Sequence, residues 1–132
     1  MDINVTTPKT EIANAAREAE DVKRAGGGGR YFRRFPWSQR PDVRCGDRVY
    51  YVEDGYVRGF AVADEVVSEH GVQTCDTTGR TWPEGLYVFM RASTWQWIEP
   101  IPMRGFQGFR YAHASSAPTK IIGGWLDPRP EA

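Results

Sequence analysis

Asp54-Gly55 lies between two strand-like runs, Arg48-Val-Tyr-Tyr-Val-Glu53 and Tyr56-Val-Arg-Gly-Phe-Ala-Val-Ala63, and this arrangement limits the fold more than anything else in the chain. An Asp-Gly pair accepts the left-handed backbone of a tight two-residue turn, so the two runs pair as an antiparallel hairpin. Such a turn sets Val52 opposite Val57 and Tyr50 opposite Gly59, where the missing side chain leaves room for a ring or a bulge. Both runs are apolar on both faces. That suits a sheet closing into a barrel, with one face inside and the other covered.

The rest of the chain reads as short strands divided by turns. Tyr31 to Phe35 form a strand that ends at Pro36, and Leu86 to Met90, Phe106 to Tyr111 and Lys120 to Leu126 form three more. Gly71 to Cys75 read as a short strand, and Asp76 to Gly85 as a polar loop holding Trp82-Pro83. Asp64 to Glu69 either continue the preceding strand or form a helical turn. Thr94 to Ile98 set Trp95 and Trp97 on one face at strand spacing, before Pro100 and Pro102 break any ladder.

The N-terminal stretch has a different texture. Thr7 is an N-cap, Pro8 stands where a missing N–H costs nothing, and Ile12, Ala15, Ala16, Ala19 and Val22 make a narrow apolar stripe that Gly26 to Gly29 terminate. These signals predict an N-terminal helix and Gly-rich joint over 1–29, a barrel domain over 30–127 and a Pro-rich tail over 128–132. The expected class is α+β, mainly β. A stripe made mostly of alanine packs weakly, so the helix is also a candidate contact for a protein partner.

At 132 residues the chain fits one ordinary domain with its own core. Net charge is zero, yet residues 30–52 hold six Arg against two Asp, a net of +4, while residues 53–76 hold six acids against Arg58, a net of −5. A local basic face is compatible with the neutral total. Cys45 and Cys75 are too few and too far apart for a zinc motif, so no metal site is expected, and a pair of buried thiols in a reducing compartment is the simplest reading. No apolar stretch approaches the ~20 residues that span a bilayer, and Met-Asp-Ile-Asn lacks the marks of a secretory leader. No membrane contact and a cytoplasmic location follow as expectations. Nothing calls for a cofactor; Gly26 to Gly29 follow the expected helix, whereas a phosphate-cradling loop precedes one.

Val43-Arg-Cys-Gly-Asp-Arg-Val-Tyr-Tyr-Val52, followed by Gly55-Tyr-Val-Arg-Gly-Phe-Ala-Val62, resembles the strand-turn-strand signature of PUA-like barrels of the ASCH and EVE kind. Arg34-Phe-Pro-Trp-Ser-Gln-Arg40 is similar to the segment that leads into the barrel in those families. The resemblance covers roughly residues 30–111 and is strongest over 43–63. It implies a small PUA-like β-barrel that binds RNA, a nucleotide or a modified base in a cleft at one end. Some ASCH relatives hydrolyse modified nucleosides through a Gly-x-Lys-x-x-Glu-x-Arg type motif, which this chain lacks.

The residues suited to such binding are aromatic or carry a guanidinium. Trp37, Trp82, Trp95 and Trp97 offer π faces for an unpaired base, and each would otherwise fill core. Trp125 reads as core. Arg40, Arg104 and Arg110 suit phosphate or base edges, and Gln107 can both donate and accept between two glycines that admit close backbone approach. The alternative for Met103 to Tyr111 is a bulged strand with Phe106 and Phe109 in the core. His70 and His113 have no Cys at ligand spacing. The expected function is a binding domain for RNA, single-stranded nucleic acid or a modified nucleotide. Two alternatives stand beside it: a small ASCH-like hydrolase with Glu99 or Asp76 as acid/base, and a phage or mobile-element protein-interaction domain.

Overall fold

A computed structural model of the chain describes residues 1–7, 30–70, 73–74, 79, 81–112, 119–125, 127 and 130. Its strands are β1 (Ile3–Thr6), β2 (Arg30–Phe35), β3 (Arg48–Glu53), β4 (Tyr56–Glu69), β5 (Gln73–Thr74), β6 (Thr81–Trp82), β7 (Gly85–Arg91), β8 (Gln96–Pro102), β9 (Phe109–Tyr111) and β10 (Ile121–Gly124). Single 3-10 turns occupy Trp37–Gln39 and Ala92–Thr94.

Eight strands form one mixed sheet in the order β10-β8-β4-β3-β1-β9, with β7 joined to β4 and β2 joined to β7. The 14-residue β4 makes this branching work. Its first half pairs with β3 and β8, and a register shift between Ala63 and Glu65 turns its second half onto β7. Asp64 to Glu69 therefore continue the strand.

The sheet is open, which corrects the expected closed barrel. Its edges β2 and β9 meet through side chains, the Phe35 and Phe109 rings packing edge to face at 5.7 Å, and Arg33 Nη2 of β2 reaches past to the Thr6 carbonyl of β1 at 3.0 Å. β9 is only three residues long, and the glycine-containing loop before it, with Gly108 at φ 74°, leaves no run long enough to ladder against β2.

The expected N-terminal helix is corrected as well. Ile3–Thr6 form a strand, parallel to β3 and antiparallel to β9, and Ile3 and Val5 are fully buried. Ile-Asn-Val-Thr alternates β-branched core residues with polar ones, which is a strand pattern. Residues 8–29, where most of the expected helix falls, lie outside the described residues. Among those described, no helix reaches seven residues. None is long and apolar enough to cross a membrane.

The hairpin forms where the sequence places it, with Asp54 at φ 49° and Gly55 at φ 84°. Val52 faces Val57 as expected, but Arg58 bulges out, so Tyr51 rather than Tyr50 stands opposite Gly59. Alternation along β3 and β4 divides the core into two clusters. Val49, Ala61 and Ala63 join Ile3, Val5, Phe35, Leu86, Val88 and Met90 inside the curled sheet. Val52, Val57 and Phe60 meet Ile98 on the other face, beneath Ile101, Met103 and Phe106. Covering both faces explains why the two runs are apolar throughout.

β8 continues through Pro100 and Pro102, contrary to the expected break. β10 reaches β8 only over Gln96 to Ile98, so the prolines lie past its end, where that edge needs no further donor. β10 is a guarded edge. It bulges at Ile122, and the Gly124 N–H is taken by Asp127 Oδ2 at 2.6 Å.

The Gly46 turn ahead of β3 is tied down by Asp47. Its Oδ2 accepts from the Arg44 N–H at 2.8 Å and from the Met1 ammonium at 2.6 Å. The bond to the ammonium first, and the Arg44 amide second, hold this carboxyl below the usual carboxylate value of 3.8. A carboxylate with a lowered folded pKa contributes stability above its unfolded pKa and loses it as pH falls through the folded one. Asp47→Asn is accordingly expected to cost about 1 kcal/mol at pH 7, modest because the site is partly solvated. Urea titrations of both proteins should show that gap closing below pH 3.8. A gap of constant size down to pH 2 would mean that the charge on Asp47 is not what matters.

Candidate functional site

Pro36 ends β2, and the chain turns once through Trp37–Gln39, with the Gln39 N–H donating to the Pro36 carbonyl at 3.0 Å. In a 3-10 turn, side chains three positions apart eclipse, so Trp37 and Arg40 rise on the same side. The Arg40 guanidinium carbon stands 5.6 Å from the centre of the Trp37 ring. His70, just past the end of β4, stacks on that ring at 5.2 Å and 21°. Trp37 is half-buried, while Arg40 and His70 are exposed.

A second loop, 103–108, leads into β9 and abuts the first. Gly108 lies against the Gln39 side chain so closely that a Cβ there would fall 3.0 Å from Gln39 Oε1. Further along, the Asp42 N–H donates to the Tyr111 hydroxyl at 2.9 Å. The Phe106 N–H donates to Thr6 Oγ1 at 3.2 Å, and the Arg110 guanidinium carbon stands 4.7 Å above the Phe106 ring. Arg104, Gln107 and Arg110 are exposed. Trp37 and Arg40 on the turn, Arg104 and Gln107 on the loop, and Arg110 on β9 just after it thus lie on two touching segments, as one binding surface requires.

Trp95 and Trp97 lie elsewhere. Trp95 follows the Ala92–Thr94 turn and packs on Gly59, with Tyr51 at 5.6 Å and Trp97 at 5.0 Å, both edge to face. Its ring packs against the inner cluster, and its indole nitrogen is buried with no hydrogen-bond partner. Trp97 stands in β8 between Gly59 of β4 and Gly123 of β10. Gly59 and His70 are eleven residues apart on β4 and its end, about 36 Å if the strand were straight. The Trp95–Trp97 pair packs with Tyr51 and Gly59, whereas the Trp37 platform packs with His70 and Arg40, so the two groups have different neighbours. Trp82 is described through its backbone only, paired with Gln73, three residues past His70.

The charge segregation seen in the sequence is partly cancelled in space. β2 and β4 flank β7, so Arg30 reaches Asp64 at 3.6 Å and Glu65 at 3.2 Å, and Arg91 reaches Asp64 at 3.3 Å. The arginines of the two loops are set apart from this cluster. Cys45 is a free, exposed thiol rather than a buried one, and its Sγ donates to the Asp64 carbonyl at 3.0 Å. Cys75, Asp76 and His113 lie outside the described residues. Glu99 is exposed on β8. Among the described residues, no group of three His, Cys, Asp or Glu side chains could hold a metal ion.

Sequence reasoning missed His70, Gln39 and Phe106 as members of this surface. No local signal foretells the stack of His70 on Trp37, positions 33 residues apart. Both readings of Met103 to Tyr111 meet in Phe106, whose ring packs on the outer core cluster and lies beneath the Arg110 guanidinium.

Comparison of the chain with protein-family models, with curated proteins and with solved structures found no match.

Proposed function

We propose that this chain is a binding domain for RNA, single-stranded nucleic acid or a modified nucleotide, and that it meets its ligand through the Trp37–Arg40 turn and residues 104–110, the loop that leads into β9 and the start of that strand. The observation that carries this reading is the half-exposed Trp37 ring, stacked on His70 and with the Arg40 guanidinium over it, on a turn that touches the loop bearing Arg104, with Arg110 on β9 just beyond. An indole offers its face to any base, and guanidinium groups beside it match the phosphates that accompany one. The resemblance of residues 43–63 to PUA-like domains supports the same partner class. The cytoplasm, where such ligands are abundant, is the compartment that goes with this reading.

Trp37→Ala is the direct test. Removing one base-stacking ring costs roughly 1–3 kcal/mol, so affinity for single-stranded RNA or DNA is expected to fall about 5- to 150-fold. The thermal transition should hardly move, because the indole stands outside both core clusters. Arg104→Ala and Arg110→Ala should each flatten the dependence of affinity on salt, by about one unit of slope where the side chain meets a phosphate. Unaltered binding by the Trp37 variant would end the proposal.

A further inference from the structure

We infer that the ligand is an oligonucleotide rather than a free nucleotide, because the two touching loops carry two separate stacking stations. This inference rests on the nucleic-acid reading above. The first station is Trp37 with Arg40, and the second is Phe106 with Arg110, at 5.6 Å and 4.7 Å respectively. At each the guanidinium lies over the ring, so a base either stacks on the guanidinium plane or displaces it towards the accompanying phosphate. A mononucleotide satisfies one station and leaves the other idle.

Their spacing fits a polymer. Trp37 and Phe106 each stand two residues from the Gln39–Gly108 contact that joins the loops. At most about 14 Å of extended backbone therefore separates them, apart from the contact itself. Two similar pairs elsewhere do not qualify. Phe60, beneath Arg48, is buried and has no face to offer. Arg30, above Phe89, is held by Asp64 and Glu65. At both loop stations the guanidinium belongs to an exposed residue and the ring to a partly exposed one.

The test measures affinity for nucleoside monophosphates and for single-stranded homopolymers of two, four and eight nucleotides, as RNA and as DNA, with an eight-base-pair duplex alongside. Occupying the second station should tighten binding about 5- to 150-fold between one nucleotide and four, with no comparable gain from four to eight. The duplex, whose bases are already stacked, should bind more weakly than the tetranucleotide. Phe106→Leu keeps an apolar side chain under the loop but removes the π face. It should shrink the tetranucleotide-to-mononucleotide ratio about fivefold or more, and Arg110→Ala should shrink it too. A mononucleotide that binds as tightly as the tetranucleotide, or a ratio unmoved in both variants, overturns the two-station inference and leaves the base-binding reading intact. If neither monomer nor oligomer binds, both fall.

Discussion

Gly59→Ala is expected to destabilise the protein by about 3 kcal/mol, near the upper end of what overpacking a core costs. A methyl group at this position would lie 2.5 Å from the Gln96 carbonyl oxygen, 2.9 Å from Trp95 Cε2 and closer still to Cζ2 of the same ring. Neither neighbour can yield cheaply. The carbonyl belongs to β8, which is laddered to β4 on one side and β10 on the other, and the indole is wedged against Tyr51 and Trp97. Urea unfolding should report the loss as a lower midpoint with an unchanged slope. The near-ultraviolet signal should weaken too, because the tryptophan pair loses its fixed geometry. A variant as stable as the parent would show that β8 slides easily past β4, which this packing denies. By the same logic Trp95→Ala should be felt first as lost stability, so it is a poor probe of binding.

Ile3→Ala should cost 2–5 kcal/mol, the range for removing a buried aliphatic side chain and leaving a cavity. Ile3 is wholly enclosed, on a strand that has neighbours on both edges, β3 and β9. Deleting residues 1–7 should abolish cooperative unfolding altogether, since it strips β3 and β9 of their shared partner. Differential scanning calorimetry distinguishes the outcomes: a lowered single transition for the substitution, none for the deletion. A deletion variant that still melts cooperatively would mean that β9 can dock without β1.

This second expectation shows where the sequence was easy to read and where it was not. The β3–β4 hairpin was legible because Asp54-Gly55 encodes its turn locally, and even the vacancy at Gly59 could be foreseen, though not that Trp95 fills it. β1 was missed because four residues carry too little periodicity to compete with the cap and stripe signals that follow at Thr7 and Pro8. Its strand state comes from partners at positions 49–52 and 109–111, which no local pattern announces. Barrel closure failed for a related reason. Apolar patterning on both faces requires that both be covered, and an open sheet with loops packed on its outer face meets that requirement as well as a closed one. At the candidate site, residue types could be chosen from sequence but not their grouping. Trp37 and Trp95 look alike there, and only their neighbours in the fold set them apart.

The pairing of β1 also governs the order of events during synthesis. Ile3 lies opposite Tyr111, so it leaves the ribosome 108 positions ahead of this partner and must wait for it. Long-range pairings of this kind raise contact order and slow folding, because loop closure must precede any reward from the contact. Until then β3 is the one neighbour β1 can pair with, and its other edge is open to chaperones or to a strand from another molecule.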